Sequence, residues 1–289
     1  PSGTATSGVG EVTDWNAWQT AVTGLVEQVS GKNELNQTGV YYEVWNEPDG
    51  PTFGNFAIGK DKDYFVLYQK TLEAIARAQN VNAFKIGGPA LADPRRCSNG
   101  LLFICQEFWL DKFLSLVSEN NLRLDFLSWH RYSKNLNDFS DDLAFVNSTL
   151  AKYPDIGSPE KLITEWGSAT ERSPIHSTNF DAAHLVSAVR VLIDQVDLAT
   201  KFEIKDGPNQ KDAGWGILSF EGSPKPTLEV LKLLSKLRDQ RVVVSGEGNR
   251  VTGIASSNSS VFTLVLYNYD SKSGNTEKVP ISITNLIPG

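Results

Sequence analysis

Methionine is absent from the 289 residues, and nothing in the physical chemistry of the chain accounts for that. Histidine occurs three times and cysteine twice. The histidines are scattered, with no H-x-x-x-H pair and no Cys–His set at zinc-ligand spacing, so no metal and no cofactor are expected. No apolar run reaches the roughly 18 residues that a membrane-spanning helix needs, so no membrane is expected as partner. A phosphate-binding G-x-x-x-x-G-K-[ST] loop and a G-x-S-x-G nucleophile elbow are both missing. Positive charge is in deficit: 27 Lys and Arg stand against 34 Asp and Glu, a net charge of −7. That balance argues against nucleic acid or an anionic membrane as the main partner. An initiator methionine is missing too, and with Pro1 as first residue the lack of a leader peptide carries no weight.

What is present is ordinary for a globular protein: 40% apolar and 21% charged residues. The length suits one large domain, or one domain with a small companion. Cys97 and Cys105 lie eight apart in CSNGLLFIC and are read as a loop-closing disulfide of an exported protein; two buried free thiols are the competing reading. Three N-x-[ST] triplets, at Asn36, Asn147 and Asn258, fit a secreted glycoprotein but also arise by chance.

Strand-like and helix-like stretches alternate to about residue 240. Residues 15–29, 63–79, 108–120, 141–153, 180–196 and 226–237 carry helical periodicity, with Asp14 as a cap of the first and Pro226 opening the last. Residues 40–45, 84–88, 124–130, 161–166 and 200–205 read as strands. Such alternation builds parallel β/α units. Polar residues gather at the C-terminal strand ends: Asn46 and Glu47, His130 and Tyr132, Glu165 and Trp166, Glu203 and Lys205. In a (β/α)₈ barrel that rim carries the chemistry, so a TIM-barrel-type α/β domain is expected over residues 1–240. From residue 241 the texture changes to RVVVSG, RVTGIASS, SVFTLVLYNYD and KVPISITNL, short strands without helices. A small all-β, sandwich-like domain, whole or in part, is expected over 241–289.

Two strand ends carry a glutamate 118 residues apart, Glu47 in WNEP and Glu165 in ITEWG. Two carboxylates facing each other across a barrel mouth suit glycoside hydrolysis: one protonates the leaving oxygen, the other attacks the anomeric carbon. Environment can separate their proton affinities. Asn46 is placed to bond the sugar 2-hydroxyl. For one strand end to aim two neighbouring side chains at one site, it must leave the flat pleat, and Pro48 then ends the pairing. The apolar part of YYEVW is expected to be barrel core.

WNEP, S-x-H-x-Y and T-E-W-G, in that order, resemble clan A glycoside hydrolases. FKIGGPAL, DFLSWHRY and FEIKDGPNQKDAGWGILSFEGSPKPTLEVLKLL narrow the resemblance to glycoside hydrolase family 39, which includes β-xylosidases and α-L-iduronidases; it covers roughly residues 12–240. The resemblance implies a retaining hydrolase with Glu47 as general acid/base on the fourth strand and Glu165 as nucleophile on the seventh. It places His130 and Tyr132 near the nucleophile. It also implies that strands one to three are not in this chain, with residues 1–14 resembling the loop after strand three. Five strands of eight cannot close a barrel. The expectation is a part of a longer barrel, or a half-barrel that needs a partner segment. FEIKDG lacks the Trp of the xylosidases, which weakens a xylose-specific reading.

Each residue also has a plainer reading. Glu47 and Glu165 could be strand-end carboxylates in ion pairs, and Asn46 a turn residue. His130 could be a satisfied core histidine, Tyr132 a rim aromatic, and Trp166 core rather than a sugar platform. Glu203 and Lys205 alternate in facing, so one of them suits a hydroxyl. Trp215 is read as packing before rim. His176 and His184 are read as a loop and a helix face, and Asp141–Asp142 as helix-opening charges without a catalytic part. The expected substrate is an oligo- or polysaccharide or an aryl glycoside; the sugar stays open. A uronic acid would need a cationic clamp, with Lys205 first and Arg131 second as candidates. A carbohydrate-binding protein without catalysis is the rival from another class.

Overall fold

The computed structural model describes residues 12–284, apart from 60, 61, 102, 103, 211, 212, 247 and 273. The loop expected at residues 1–14 and the end of KVPISITNL thus lie largely or partly outside the described residues. In chain order the elements are α1 (Trp15–Ser30), β1 (Val40–Glu43), α2 (Tyr64–Ile75), β2 (Phe84–Leu91), β3 (Cys97–Leu101) and β4 (Ile104–Phe108). Then come α3 (Trp109–Glu119), β5 (Phe126–Tyr132), α4 (Asn137–Leu150), β6 (Glu160–Gly167), α5 (Asn179–Leu192) and β7 (Leu198–Lys201). The chain continues through α6 (Pro226–Leu234), β8 (Gln240–Val242), β9 (Val251–Ser257) and β10 (Phe262–Asn268). Helix starts follow local chemistry. Asp14 accepts from the Asn16 and Ala17 amides, Asp63 from that of Phe65, and Pro226 stands in the first turn of α6.

The chain divides into two compact units. The first comprises the residues up to Arg131, Ser140–Trp166 and Asp194–Thr200; the second comprises Tyr132–Phe139, Gly167–Ile193 and Lys201 onward. This division by packing runs elsewhere than at residue 240.

The first unit is built on the sheet β1-β2-β5-β6-β7, with β1 parallel to β2 and β2 parallel to β5. Strands of a sheet lie about 4.8 Å apart, so β1 and β6, with two strands between them, would be roughly 14 Å apart if the sheet were flat. Yet Thr164 on β6 donates to Glu43 on β1 at 2.8 Å, and the Tyr41 hydroxyl donates to Glu160 at 2.7 Å. Side chains bridge that gap only if the sheet curls strongly, which draws the strand ends together. The inner layer of Tyr41, Lys85 and Glu160 is polar, with Lys85 bonded to both partners. This corrects the expectation of an apolar YYEVW core. Tyr41 is 40% exposed and Tyr42 shares a hydrogen bond with Ser30 of α1; of the stretch, only Val44 is fully buried. The apolar core lies instead around α2 and α3. Tyr64, Tyr68, Trp109 and Phe113 are buried there, with Tyr64–Trp109 and Tyr68–Phe113 centroids 5.3 and 5.2 Å apart.

Between β2 and α3 the chain forms a β3–β4 hairpin closed by a Cys97–Cys105 disulfide, as expected of the cysteine pair. The hairpin itself was not foreseen, because Gly and Asn in CSNGLLFIC read as loop.

In the second unit the antiparallel sheet β10-β9-β8 packs on α5 and α6 through Val186, Ile254 and Val265, with Val230, Leu234 and Tyr267 around them. Residues 278–284 form no ladder, and among the described residues there is one three-stranded sheet rather than two facing ones. The expected fourth strand therefore does not form in its described part, where Pro280 removes a donor.

Candidate active site

Strand β1 stops at Glu43, two residues earlier than expected, and the backbone then leaves the pleat. Trp45 has φ +72° and Glu47 φ +44°, both left-handed, flanking a half-buried Asn46. Such conformations cost about 1–3 kcal/mol in non-glycine residues. Here the indole of Trp45 repays part of it, donating to the Phe53 carbonyl at 2.7 Å and stacking edge-on against Phe56. The Glu47 amide donates to Ala90 at 2.9 Å, so the strand end stays tied to β2 after the ladder has broken.

His130 comes from β5 and Glu165 from β6. The His130 ring is 1% exposed, whereas the Glu47 and Glu165 side chains are 21% and 26% exposed. His130 Nδ1 lies 2.8 Å from Glu47 Oε1 and 3.8 Å from Glu165 Oε2. One ligand-capable atom from each of the three residues falls within 4.8 Å of the others. The fold thus brings together three residues that the sequence keeps 83 and 35 positions apart. The resemblance placed His130 beside the nucleophile; the ring stands between both carboxylates and nearer Glu47. The same three atoms are close enough to ligate a cation, a grouping invisible to a search for local ligand spacing.

Other expected site residues are placed less directly. Trp166 is 3% exposed, so it offers no open ring face for a sugar to stack on. Tyr132 ends β5 in the second unit, its ring against Gly167, where an added Cβ would meet Tyr132 Cδ1 at 3.1 Å. Glu203 and Lys205 do not end a strand. Strand β7 stops at Lys201, and a cis Phe202–Glu203 peptide follows. Glu203 Oε1 is buried without a hydrogen-bond partner among the described residues. Lys205 is exposed, its ammonium 5.3 Å from the centroid of the Phe220 ring. Arg131 is no free clamp: it is bonded to Asp142 and, at 2.9 Å, to Asp93. Asp142 is correspondingly not a helix-opening charge, because α4 begins at Asn137 and Asp142 is buried against Arg131 and Arg95. Trp215 packs, donating to the Ala169 carbonyl at 3.1 Å.

Sequence reasoning missed three groups. Asp49 is buried beside Arg96; burial raises its pKa, and the Ala92 amide and Arg96 oppose that. Lys201 is buried 3.8 Å from Asp181, and desolvation lowers its pKa. Burial pushes Asp181 up, but His176, Lys201 and Ser168 outweigh it and hold the carboxyl below its usual range. His176 and His184 are both fully buried, not surface residues. His184 Nε2 bonds the Ser133 carbonyl at 2.8 Å, and burial lowers its pKa to about 4. A polar residue on an amphipathic helix reads as surface; only packing shows otherwise.

The family model for glycosyl hydrolases family 39 matches residues 2–286. The chain belongs to that family. A β-xylosidase of Caldicellulosiruptor saccharolyticus is 28% identical over 272 residues, 83% of this chain and 50% of that protein. One of Geobacillus stearothermophilus is 23% identical over 260 residues, covering 81% and 49%. The chain spans about half the length of these curated relatives. The crystal structure of the family 39 enzyme from Xanthomonas axonopodis pv. citri superposes with a TM-score of 0.73 at 20% identity, over 92% of this chain and 55% of that one. A monomeric β-xylosidase from Caulobacter crescentus CB15 gives 0.68 at 21% identity, over 85% and 51%. The curled parallel sheet is accordingly part of a TIM-barrel-like α/β fold.

Proposed function

We propose that this family 39 chain carries the catalytic pair of a retaining glycoside hydrolase acting on β-xylosides or related oligo- and polysaccharides. The observation that carries this reading is the Glu47–His130–Glu165 cluster, with a carboxylate oxygen from each glutamate within 4.8 Å of the other. Retaining glycosidases hold their carboxyl groups about 5–5.5 Å apart, whereas inverting ones leave about 6.5–9.5 Å for a water. Glu165 attacks the anomeric carbon while Glu47 protonates the departing oxygen, and the C–O bond breaks. Glu47 then takes a proton from water, whose oxygen displaces Glu165 and restores the configuration. Asn46, between the two left-handed residues, is the candidate partner of the 2-hydroxyl. The scheme calls on no metal or cofactor. The relatives' name favours xylose, and the curated homologues' greater length favours a further barrel segment that completes the sugar pocket.

The test is the anomeric outcome on a β-xyloside, followed by NMR, together with trapping by a 2-fluoro xyloside. A first-formed β product and a label on Glu165 are expected. An α product, or a label elsewhere, overturns the reading; sugar binding without turnover favours the non-catalytic rival. We also propose that the protein is secreted. The Cys97–Cys105 disulfide supports this, as do exposed asparagines at all three glycosylation triplets.

A further inference from the structure

Glu47 sits at the first position of a tight turn, its carbonyl accepting from the Gly50 amide at 3.0 Å. Asp49 is inside that turn and its side chain is 0% exposed. It accepts from the Ala92 amide at 2.8 Å, the Asp93 amide at 3.3 Å and Arg96 Nε at 3.3 Å. One carboxylate therefore ties the turn that carries Glu47 to the turn that follows β2. The backbone at Glu47 is left-handed, as is that at Ala90, the acceptor of the Glu47 amide. Residues in sparsely populated conformations persist only where their surroundings over-determine them. Ala90 is held in turn by Ser128, two residues before His130, through its amide at 3.0 Å.

We propose that Asp49, with Arg96, is a positioning residue for Glu47: it fixes the turn that aims the acid/base at the leaving oxygen. This rests on the reading of Glu47 given above. Asp49 itself is enclosed by backbone donors and Arg96, and takes no part in proton transfer. A displacement of about 1 Å in a catalytic group costs on the order of 100-fold. The two events that need Glu47 should suffer, departure of a poor leaving group and attack by water, while attack by Glu165 is spared because it stands on another strand.

Asp49→Asn keeps the shape and one acceptor but removes the charge that Arg96 and the Asp93 amide face. On the full-length protein, with active sites counted by the 2-fluoro reagent, kcat for xylosides with poor leaving groups should fall about 10–100-fold. With activated nitrophenyl xylosides kcat/KM, which reports formation of the intermediate, should change by less than about threefold, and azide, which needs no base, should accelerate the variant. Arg96→Gln, at a half-exposed position, should act in the same direction and decides the matter if Asp49→Asn does not fold. Equal losses on all leaving groups per titrated site, or a loss of sites alone, overturn the proposal and leave a stability role. Glu47→Ala separates the two ideas. If it shows the leaving-group dependence and neither Asp49→Asn nor Arg96→Gln does, the positioning role falls alone. If Glu47→Ala lacks it, the reading of Glu47 falls and this proposal with it.

Discussion

The imidazole Nδ1 of His130 lies 2.8 Å from Glu47 Oε1 and 3.8 Å from Glu165 Oε2, so one buried ring faces both carboxylates. Its place suits it to hold both rather than to serve one half-reaction. His130→Phe keeps a ring and removes the nitrogen. It should lower kcat/KM by about 10–100-fold, to a similar extent for good and poor leaving groups. A loss confined to poor leaving groups would make His130 a partner of Glu47 alone.

Glu165→Gln should abolish turnover of every substrate and prevent labelling by the 2-fluoro reagent, because the attacking oxygen is gone. Glu47→Ala should lower rates with poor leaving groups by about 100–10,000-fold and leave activated aryl glycosides able to form the intermediate. Steady-state rates with a leaving-group series, with and without azide, check this; equal losses in both classes contradict the assignment.

Glu47, His130 and Glu165 are spaced to hold a cation, but an ion there would occupy both carboxylates that the reaction needs. Prolonged EDTA treatment should leave kcat unchanged, while added zinc should inhibit competitively with the sugar. Loss of activity with EDTA and its return with one divalent metal would replace the two-glutamate mechanism.

His184 is buried, and its pKa is lowered to about 4 against an ordinary 6.5. Between those values the unfolded chain binds a proton that the folded one refuses, so stability is full above pH 6.5 and falls as the pH drops toward 4. The difference amounts to roughly 3 kcal/mol. His184→Gln, which can still donate to the Ser133 carbonyl, should lose this part of the acid sensitivity. Denaturant midpoints of both proteins from pH 4 to 7 measure it; parallel curves would show that His184 does not titrate on unfolding.

Much of the fold was legible because it rests on short-range periodicity. Alternating strand and helix signals placed all five strands of the parallel sheet and the helices between them, with α4 beginning four residues before its predicted start. The last strand was misjudged: apolar alternation in TKFEIK continues past Lys201, but β7 stops there. Arg131 looked free because its partners Asp93 and Asp142 come from other elements.

By itself the sequence determined which residue types stand at the strand ends. WNEP, SWHRY and TEWG each place a polar group in the last residues of a strand or just past it, a local signal read within a few residues. Tertiary structure alone decided their geometry. The curl of the sheet joins β1 to β6 across two strands and brings Glu47, His130 and Glu165 within reach. The left-handed turn at Glu47 is held by Asp49 through amides and a guanidinium 43–47 residues away. Such contacts have no signature along the chain, since their partners are set by packing in three dimensions and not by spacing.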